Sequence, residues 1–406
     1  MTSAVFDVAV IGGGLHGLSA ALHLGRAGKR VVVLERAWVG RHASGASAAG
    51  VRTLNRDLGE LDLALESMEM WHNIGSLVGD DCGFHAHGQI CVAEQPGILS
   101  KLEERVSRLN GLGYTHEAII DARELRRRVP AISRHCIGAS IAPDNGAADP
   151  HRTLAAFRRS AQATGVVIRE GCGVRRIERR GQDWSIEMDG AAVTDGERGG
   201  GQALGRDQSR DHGRGQTSTL VVPFVINAAG AWSGRIAAMV GDDIPLDTKA
   251  SMMIVSERLA PMIEPVVSIM GRSLSFKQSD QGTLVIGGGL QGIPNLDAET
   301  SVVRMGVLSK GARAATDLFP CVRDIHIVRV WSGLEAKTED LLPVIGAAVN
   351  APGVFHAFGY SGHGFQLVPV VGAALTDLIV SGSTRRAIGA LNARRLTATP
   401  PAEVAA

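Results

Sequence analysis

The sequence lacks several features that would place it in well-defined classes of protein. Its formal net charge is only +1, so no electrostatic excess points to nucleic acid or to an anionic membrane surface. It has no long hydrophobic run. The first apolar stretch, Val8–Ile11, is far too short to span a bilayer, and no signal peptide precedes it. We therefore expect neither a membrane span nor a nucleic-acid partner.

Cysteine is scarce as well. The five cysteines are odd in number and widely spaced, and they form no C-x-x-C pair, which disfavours structural zinc and a disulfide framework. No other metal-ligand spacing and no Ser/His/Asp arrangement stands out. We therefore expect no metal and a reducing compartment, the cytoplasm. The cysteines are Cys82, Cys91, Cys136, Cys172 and Cys321.

Glycine, in contrast, is abundant, with 51 among the 406 residues. The first cluster lies in a strand–turn–helix–strand pattern. The apolar segment Phe6–Ile11 is typical of a buried strand and runs into Gly12-Gly13-Gly14-Leu15-His16-Gly17. A helical pattern follows, and a second apolar strand ends at Glu35. This arrangement is the one that dinucleotide-binding motifs require.

Each part of this pattern has a physical role. Gly12 allows the tight turn, Gly14 lets the backbone approach a pyrophosphate, and Gly17 lets helix and strand pack closely. The helix N-terminus presents N–H groups and a partial positive charge to the phosphates. Glu35 lies where a carboxylate accepts hydrogen bonds from ribose hydroxyls. The acid argues against a 2′-phosphate but does not distinguish FAD from NAD.

The rest of the chain predicts an α/β fold. Strand–glycine–helix units occur at both ends, and the middle is richer in strands. We expect a discontinuous Rossmann-like domain (1–84, 145–245 and 328–406). A smaller α+β domain with an antiparallel sheet (85–144 and 246–327) would bind substrate. The polar, glycine-rich segment 190–219 is predicted to be a mobile hairpin excursion.

Three segments together resemble the D-amino-acid oxidase and sarcosine oxidase superfamily of flavoenzymes. They are the fingerprint that ends at Glu35, the segment Asn227–Trp232, and a C-terminal region. That region comprises Trp331–Asp340, Pro343–Gly346 and Gly359–Phe365. The likeness runs almost end to end. The sequence Asn-Gly-Ala-Ala-Asp-Pro at 145–150 also resembles the FAD-bearing β subunits of sarcosine oxidase and proline dehydrogenase.

The resemblance implies FAD as cofactor and oxidation of the C–N bond of a secondary amine or amino acid, N-methylated or cyclic, as in sarcosine or proline. Hydride would pass to flavin N5, and the resulting imine would hydrolyse. Two alternatives remain: a D-amino-acid dehydrogenase of primary amines, or an electron-transfer or assembly subunit with little activity alone. Its partners would be small iron–sulfur or FMN-binding subunits.

The same resemblance implies flavin contacts beyond the fingerprint glycines and Glu35. They are Leu15, His16, Arg36, Ser44, Ala46, Ser47, Ala49, Gly50, Val174, Ala228, Ala229, Gly230, Trp232, Gly333, Gly362, His363, Gly364, Phe365 and Gln366.

Departures from the family pattern narrow this interpretation. Monomeric sarcosine oxidases bind the substrate carboxylate with a lysine where this chain has Gln366, and they activate oxygen with a lysine where it has Val285. The cysteine that tethers their flavin is missing from 331–346, and the tethering histidine of dimethylglycine dehydrogenases is missing from 44–50. We therefore expect non-covalent FAD and an electron acceptor other than oxygen.

Five residues are candidates for the reaction itself. Gln366 can hydrogen-bond a carboxylate but cannot neutralise it, so Arg52 or Lys277 would supply the charge. The alternatives are a surface arginine and a solvent-facing lysine. His363 lies in the family motif, where orienting the backbone is favoured over acid–base catalysis. Tyr360 either touches substrate or packs.

Overall fold

The computed structural model describes residues 6–190 and 217–397. Its strands are β1 (Val8–Ile11), β2 (Val31–Leu34), β3 (Gly50–Val51), β4 (Gln89–Ala93), β5 (Ala118–Asp121), β6 (Gly138–Ala142), β7 (Gly146–Ala147), β8 (Val167–Arg169), β9 (Val174–Arg180), β10 (Asp183–Asp189), β11 (Thr217–Val222), β12 (Phe224–Asn227), β13 (Asp247–Arg258), β14 (Val266–Ile269), β15 (Ser275–Gln278), β16 (Thr283–Gly287), β17 (Ile293–Asn295), β18 (Thr300–Val302), β19 (Ile327–Lys337), β20 (Val344–Ala347) and β21 (Val354–Phe358). Its α-helices are α1 (Leu15–Arg26), α2 (Leu58–His72), α3 (Ile74–Val78), α4 (Pro96–Gly111), α5 (Ala122–Arg128), α6 (Pro150–Ala163), α7 (Ser233–Met239), α8 (Met305–Leu318) and α9 (Val368–Ser381).

The chain forms two compact units. The first comprises residues 1–44, 154–247 and 336–406, and the second comprises 45–153 and 248–335. Both the boundaries and the functions of the two domains expected from the sequence stay predictions. The described part of the chain contains no helix long and apolar enough to cross a membrane.

The first unit is built on a six-stranded sheet of order β20-β21-β12-β1-β2-β8. All neighbours run parallel except β20 and β21. Ala9 and Ile11 on one face of β1 join a core with Trp184 and Ile186 of the three-stranded sheet β11-β10-β9. On α1, the Ser19 hydroxyl donates to Val368 O at 2.7 Å, which joins this helix to the start of α9. The expected Rossmann-like sheet is therefore confirmed.

The second unit is built on an eight-stranded sheet of order β19-β13-β16-β15-β14-β4-β6-β5. The sheet is largely antiparallel, with β14 and β4 as a parallel pair. Phe276, Val267 and Ile90 lie in its apolar core together with Leu318 of α8. The short ladder of β3 and β7 also belongs to this unit. The α/β fold class, with a largely antiparallel second sheet, is thus confirmed.

Two helices differ from the sequence pattern at their ends. The spacing of apolar residues over 57–78 predicts a single helix, but the structure divides it at Asn73. The Asn73 side chain donates to Glu69 O at 2.9 Å and so competes with the helical hydrogen bonds. The sequence pattern from Ser301 to Leu318 also predicts a helix, but that helix begins at Met305, because Thr300–Val302 pairs with Ile293–Asn295 as a hairpin. The excursion expected at 190–219 lies outside the described residues over 191–216, and β10 and β11 on either side pair antiparallel.

Candidate active-site residues

The glycine turn of the first unit is closed by contacts that leave no room for side chains. Gly12 has a φ of +107°, and a Cβ there would lie 2.3 Å from Ala228 O. A Cβ on Gly17 would lie 2.0 Å from Gly12 O. Gly14 occupies the N-cap of α1, and a Cβ there would meet the Ser44 hydroxyl at 3.0 Å. The glycine turn, helix α1 and the end of β12 are therefore packed directly against one another.

Two polar side chains hold the turn in place. One carboxylate oxygen of Glu35 accepts from Gly13 N at 2.8 Å, and the other accepts from Ala37 N at 2.8 Å. The Ser44 hydroxyl accepts from Leu15 N at 3.0 Å and caps the first turn of α1. Each Glu35 oxygen keeps a second lone pair. The acid can therefore orient the turn and still accept a ligand hydroxyl.

His16 and Tyr360 join the turn to the C-terminal motif. Their rings stack at 3.7 Å between centroids with 7° between planes. His16 Nε2 lies 3.1 Å from Gly364 O and donates to it, because a carbonyl oxygen can only accept. Burial lowers the pKa of His16 to about 3, which keeps the ring neutral. A Cβ on Gly364 would lie 2.6 Å from the Tyr360 ring. This packing explains the glycine of the motif.

A second group gathers beyond the end of β2 in the same unit. The Arg36 guanidinium lies over the Trp232 ring, 4.2 Å from its centroid. Backbone bonds run from Glu35 N to Arg169 O and from Cys172 N to Glu35 O, at 2.8 Å each. These bonds bring the start of β9, at Val174, to Arg36. The predicted residues Glu35, Arg36, Val174 and Trp232 are thus neighbours.

FAD fits this set of residues. A dinucleotide needs a backbone that a phosphate can approach, and the turn has glycines where a Cβ would fill that space. His16 Nδ1 and the Tyr360 hydroxyl are buried and have no hydrogen-bond partner within 6–190 and 217–397. A buried polar atom without a partner costs about 1–3 kcal/mol, so a ligand that supplies partners stabilises the fold. The individual flavin contacts stay predictions.

In the second unit, Asn145 holds the segment that carries Arg52. Its fully buried amide oxygen accepts from Thr53 N at 2.7 Å and from Leu54 N at 2.9 Å. Its amide nitrogen donates to the Thr53 hydroxyl at 2.9 Å. These hydrogen bonds go to the two residues that follow Arg52. This is a structural role for the first residue of the 145–150 motif.

Arg52 itself contrasts with two arginines close to it. Arg56 pairs with Glu60 at 3.1 Å, with about 1% of each side chain exposed. Arg105 pairs with Glu117 at 2.8 Å. Arg52 donates Nη1 to Leu54 O at 2.5 Å, and no described carboxylate lies within ion-pair distance of it. Burial, with a smaller effect of the Arg56 charge, lowers the pKa of Arg52 to about 10.

The other predicted residues of the second unit lie on several different elements. Ala46 O accepts from the Trp331 indole, the Ser47 hydroxyl accepts from Ala49 N, and Gly50 pairs with Ala147. Lys277 on β15 donates Nζ to Ala148 O at 3.3 Å and is partly buried. Gly333 lies in β19.

Sequence reasoning missed Asn145 as a positioning residue and the buried pair Arg56–Glu60. The pair carries a signal, since its members stand four residues apart at the start of a helix with a buried face. Asn145 offers no comparable signal, because its partners lie 91 and 92 residues away in the chain.

We predict that Asn145→Ala lowers the free energy of unfolding by about 2–4 kcal/mol, because two buried backbone donors lose their acceptor. Urea denaturation at saturating FAD measures it. Asn110→Ala, at an exposed position on α4, is the control and should change stability by less than about 0.5 kcal/mol. Equal effects of the two substitutions would contradict the role of Asn145.

The comparison with known families agrees with this geometry. The sequence profile of the DAO family, described as FAD dependent oxidoreductase, matches residues 7–378. The chain belongs to this family and is an FAD-dependent oxidoreductase. The flavoenzyme class predicted from the sequence is thereby confirmed.

The individual relatives have low sequence identity to this chain, but the matches cover most of the length of both proteins. The chain is 24% identical to the β subunit of a sarcosine oxidase of Rhodobacter capsulatus, over 93% of this chain and 85% of that protein. It is 23% identical to an opine oxidase subunit of Rhizobium meliloti, over 97% of this chain and 98% of that protein. The L-proline dehydrogenase of P. horikoshii matches with a TM-score of 0.83 and 22% identity, over 96% of this chain and 97% of that chain. The last likeness shows the fold.

Proposed function

We propose that this flavoprotein oxidises the C–N bond of a secondary amine or amino acid, such as an N-methylated or cyclic amino acid. When bound, FAD supplies the acceptor for the hydride of the carbon beside the amine nitrogen. The residues described above hold the cofactor and bind the substrate carboxylate. The names of the relatives, a sarcosine oxidase subunit and a proline dehydrogenase, support amine donors.

The contrast between Arg52 and its neighbours carries the proposal. Glu60 and Glu117 neutralise Arg56 and Arg105, so this cluster retains one uncompensated positive charge, on Arg52. A desolvated cation without a counter-charge costs free energy of folding unless a ligand pairs with it. A guanidinium binds a carboxylate through two parallel hydrogen bonds. We therefore assign Arg52 to the substrate carboxylate.

The test is an anaerobic visible spectrum before and after addition of N-methyl and cyclic amino acids. A substrate of the proposed class bleaches the flavin bands, whereas the corresponding amine without a carboxylate bleaches them more slowly. If primary D-amino acids alone bleach the bands, the protein is a D-amino-acid dehydrogenase instead. Flavin bands that none of these compounds bleaches would contradict the proposal.

We further propose that FAD is bound non-covalently and that the electron acceptor is not oxygen. Both follow from the residues at 44–50, 331–346 and 285. Acid precipitation should therefore release all the flavin into the supernatant, and yellow precipitated protein would contradict this. Readmission of air to the bleached enzyme should reoxidise it slowly compared with an artificial quinone.

Partner subunits are part of the proposal, because two of the relatives are themselves named as subunits. Small iron–sulfur or FMN-binding proteins would then accept the electrons. If the chain alone reduces its flavin but passes electrons on only with a co-purifying protein, the chain acts as a subunit. The odd number and wide spacing of the cysteines support a reducing compartment, and we propose the cytoplasm.

A further inference from the structure

A short loop of the second unit leads from β3 to α2 and carries Arg52 at its start; we call residues 52–56 the Arg52 loop. Arg56 N donates to Thr53 O at 3.2 Å, which closes a four-residue turn over 53–56. Asn55, the third residue of this turn, has a φ of +58°, whereas the second residue, Leu54, has a negative φ. A hydrogen-bonded turn with a positive φ at its third residue alone is of type II.

The peptide group between Leu54 and Asn55, at the centre of this turn, connects two charged side chains. Its carbonyl oxygen, Leu54 O, accepts from Arg52 Nη1 at 2.5 Å. Its N–H, on Asn55, donates to Glu117 Oε1 at 2.9 Å. The carbonyl and the N–H of a trans peptide lie in one plane and point in opposite directions. Arg52 and Glu117 are therefore bound to opposite edges of the same rigid group.

This peptide group can adopt two orientations within a turn. Turns of type I and type II differ in the ψ of the second residue and the φ of the third, the two dihedrals on either side of the central peptide. In a type I turn Asn55 would have a negative φ, and Leu54 O would point away from Arg52 Nη1. A positive φ costs free energy for any residue with a Cβ, although less for Asn than for most. The hydrogen bond to Glu117 thus stabilises the orientation that the local backbone favours less.

The Glu117 carboxylate is itself held in place. It is fully buried, and Arg105 of α4 binds both of its oxygens, with Nη2 at 2.8 Å from Oε1 and Nε at 3.0 Å from Oε2. The same Nη2 donates to Arg56 O at 2.9 Å, at the end of the turn. Burial raises the pKa of Glu117, but hydrogen bonds with His116 and Arg105 outweigh it and lower the pKa to about 2. The carboxylate therefore stays charged at neutral pH.

Other side chains bind the Arg52 loop at different peptide groups. Asn145 accepts from Thr53 N and Leu54 N, which belong to the two preceding peptide groups. Arg56 Nε donates to Arg52 O at 3.1 Å, on the first of these. Within residues 6–190 and 217–397, Glu117 is the one side chain from outside the loop that binds the peptide group between Leu54 and Asn55.

We propose that Glu117 is a positioning residue for Arg52. It accepts from Asn55 N and so keeps the turn in its type II form, in which Leu54 O orients the Arg52 guanidinium for the substrate carboxylate. The inference rests on the proposed function, which assigns that carboxylate to Arg52. Glu117 acts through the peptide group and not by contact with the substrate.

Two double variants test whether the acceptor for Asn55 N matters. Glu117→Leu with Arg105→Leu (the leucine variant) removes the acceptor and both buried charges, so that neither charge is left uncompensated. Glu117→Gln with Arg105→Leu (the glutamine variant) removes the same charges but keeps a side-chain oxygen that can accept from Asn55 N. Glu94→Leu with Arg272→Leu removes another bidentate ion pair of the second unit and is the control.

Binding of (methylthio)acetate, which has a carboxylate but no amine to oxidise, is followed by titration of the flavin absorbance. We expect the leucine variant to bind it about tenfold more weakly than the wild type, the effect of about 1.4 kcal/mol. The glutamine variant should stay within about threefold of the wild type, and the control should be unchanged. Equal affinities of the leucine and glutamine variants would overturn the inference.

Two single variants at Asn55 test the turn with the buried ion pair intact. Asn55→Ala and Asn55→Gly both remove the amide, but only glycine adopts a positive φ freely. Asn55→Ala should therefore populate the type II form less and bind (methylthio)acetate at least about threefold more weakly than Asn55→Gly, because affinity falls with the competent fraction. Equal affinities of these two variants would contradict the role of the turn, whether or not the leucine variant folds.

A purely structural role of Glu117 would not depend on Arg52. In an Arg52→Met background, the leucine substitutions should change the Kd of (methylthio)acetate by less than about twofold, because two residues that act through one contact are not additive. In steady-state rates, the loss should appear in kcat/KM for the amino acid and not for the same amine without a carboxylate. A tenfold effect that persists in Arg52→Met would overturn the inference.

The outcomes separate the two proposals. If Arg52→Met binds (methylthio)acetate as tightly as the wild type, the proposed assignment of Arg52 fails. If Arg52→Met binds it weakly while the leucine variant binds it like the wild type, the proposed function stands and the positioning role of Glu117 is overturned.

Discussion

Gly17→Ala is expected to abolish retention of FAD on purification. The new Cβ would lie 2.0 Å from Gly12 O, so either the turn or α1 must move by roughly 1 Å to relieve the overlap. That movement displaces the N–H groups at the N-terminus of α1, which are predicted to bind phosphate. A misplacement of this size costs on the order of 100-fold in a site that depends on orientation. The flavin-to-protein ratio and a fluorescence titration of the apoprotein measure the loss.

A matched control separates the turn from the general effect of adding a methyl group. Gly389→Ala, in the same unit, introduces a Cβ with no heavy atom within 4 Å and should retain FAD fully. Thermal unfolding with and without FAD shows whether Gly17→Ala still folds. A folded variant with the affinity of the wild type would contradict the dinucleotide assignment of the turn.

Arg52→Met is expected to reduce kcat/KM for the preferred amino acid by about 100-fold or more, far beyond its effect on the same amine without a carboxylate. Loss of one partner of a desolvated, hydrogen-bonded charge pair costs about 2–5 kcal/mol. Arg52→Lys should fall between, because an ammonium keeps the charge but not the paired hydrogen bonds. Steady-state rates with both compounds test this, with exposed Arg108→Met as the control.

Arg52→Met should lower kcat/KM without lowering the stability of the protein. Arg52 is a desolvated cation whose hydrogen bond goes to a neutral carbonyl, so its replacement by an apolar side chain should leave the free energy of unfolding unchanged or increase it. A purely structural arginine would behave in the opposite way. Equal losses of kcat/KM for both compounds, together with a less stable protein, would show that Arg52 supports the fold and does not bind the carboxylate.

The site residues that could be predicted from the sequence are those whose structural requirements involve only residues close together in the chain. Gly12, Gly17 and Glu35 were identifiable because a tight turn and a nearby acid constrain residue types at fixed spacing. The stack of His16 on Tyr360 leaves no such trace, since any flat ring would satisfy it and the two residues are 344 positions apart.

The sequence also could not predict which arginines near Arg52 are paired with a carboxylate. Arg52 and Arg56 are the same residue type four positions apart, and only the structure shows that Glu60 neutralises one of them. Likewise, a lysine on a strand predicts a solvent-facing side chain, whereas the ladder beside β15 desolvates Lys277. Ionic partners depend on tertiary contacts that periodicity does not encode.

The position of α9 against α1 has a consequence for synthesis of the protein. Gly372 meets Ser19 so closely that a Cβ there would lie 2.3 Å from the Ser19 hydroxyl, and β21 lies beside β12, which itself lies beside β1. The residues predicted to bind the nucleotide thus lie much earlier in the sequence than α9, the helix that packs against α1. A ribosome-bound chain can complete the contact between α1 and α9 only after α9 has emerged. We therefore expect flavin loading to follow translation, with the early strands exposed to chaperones until then.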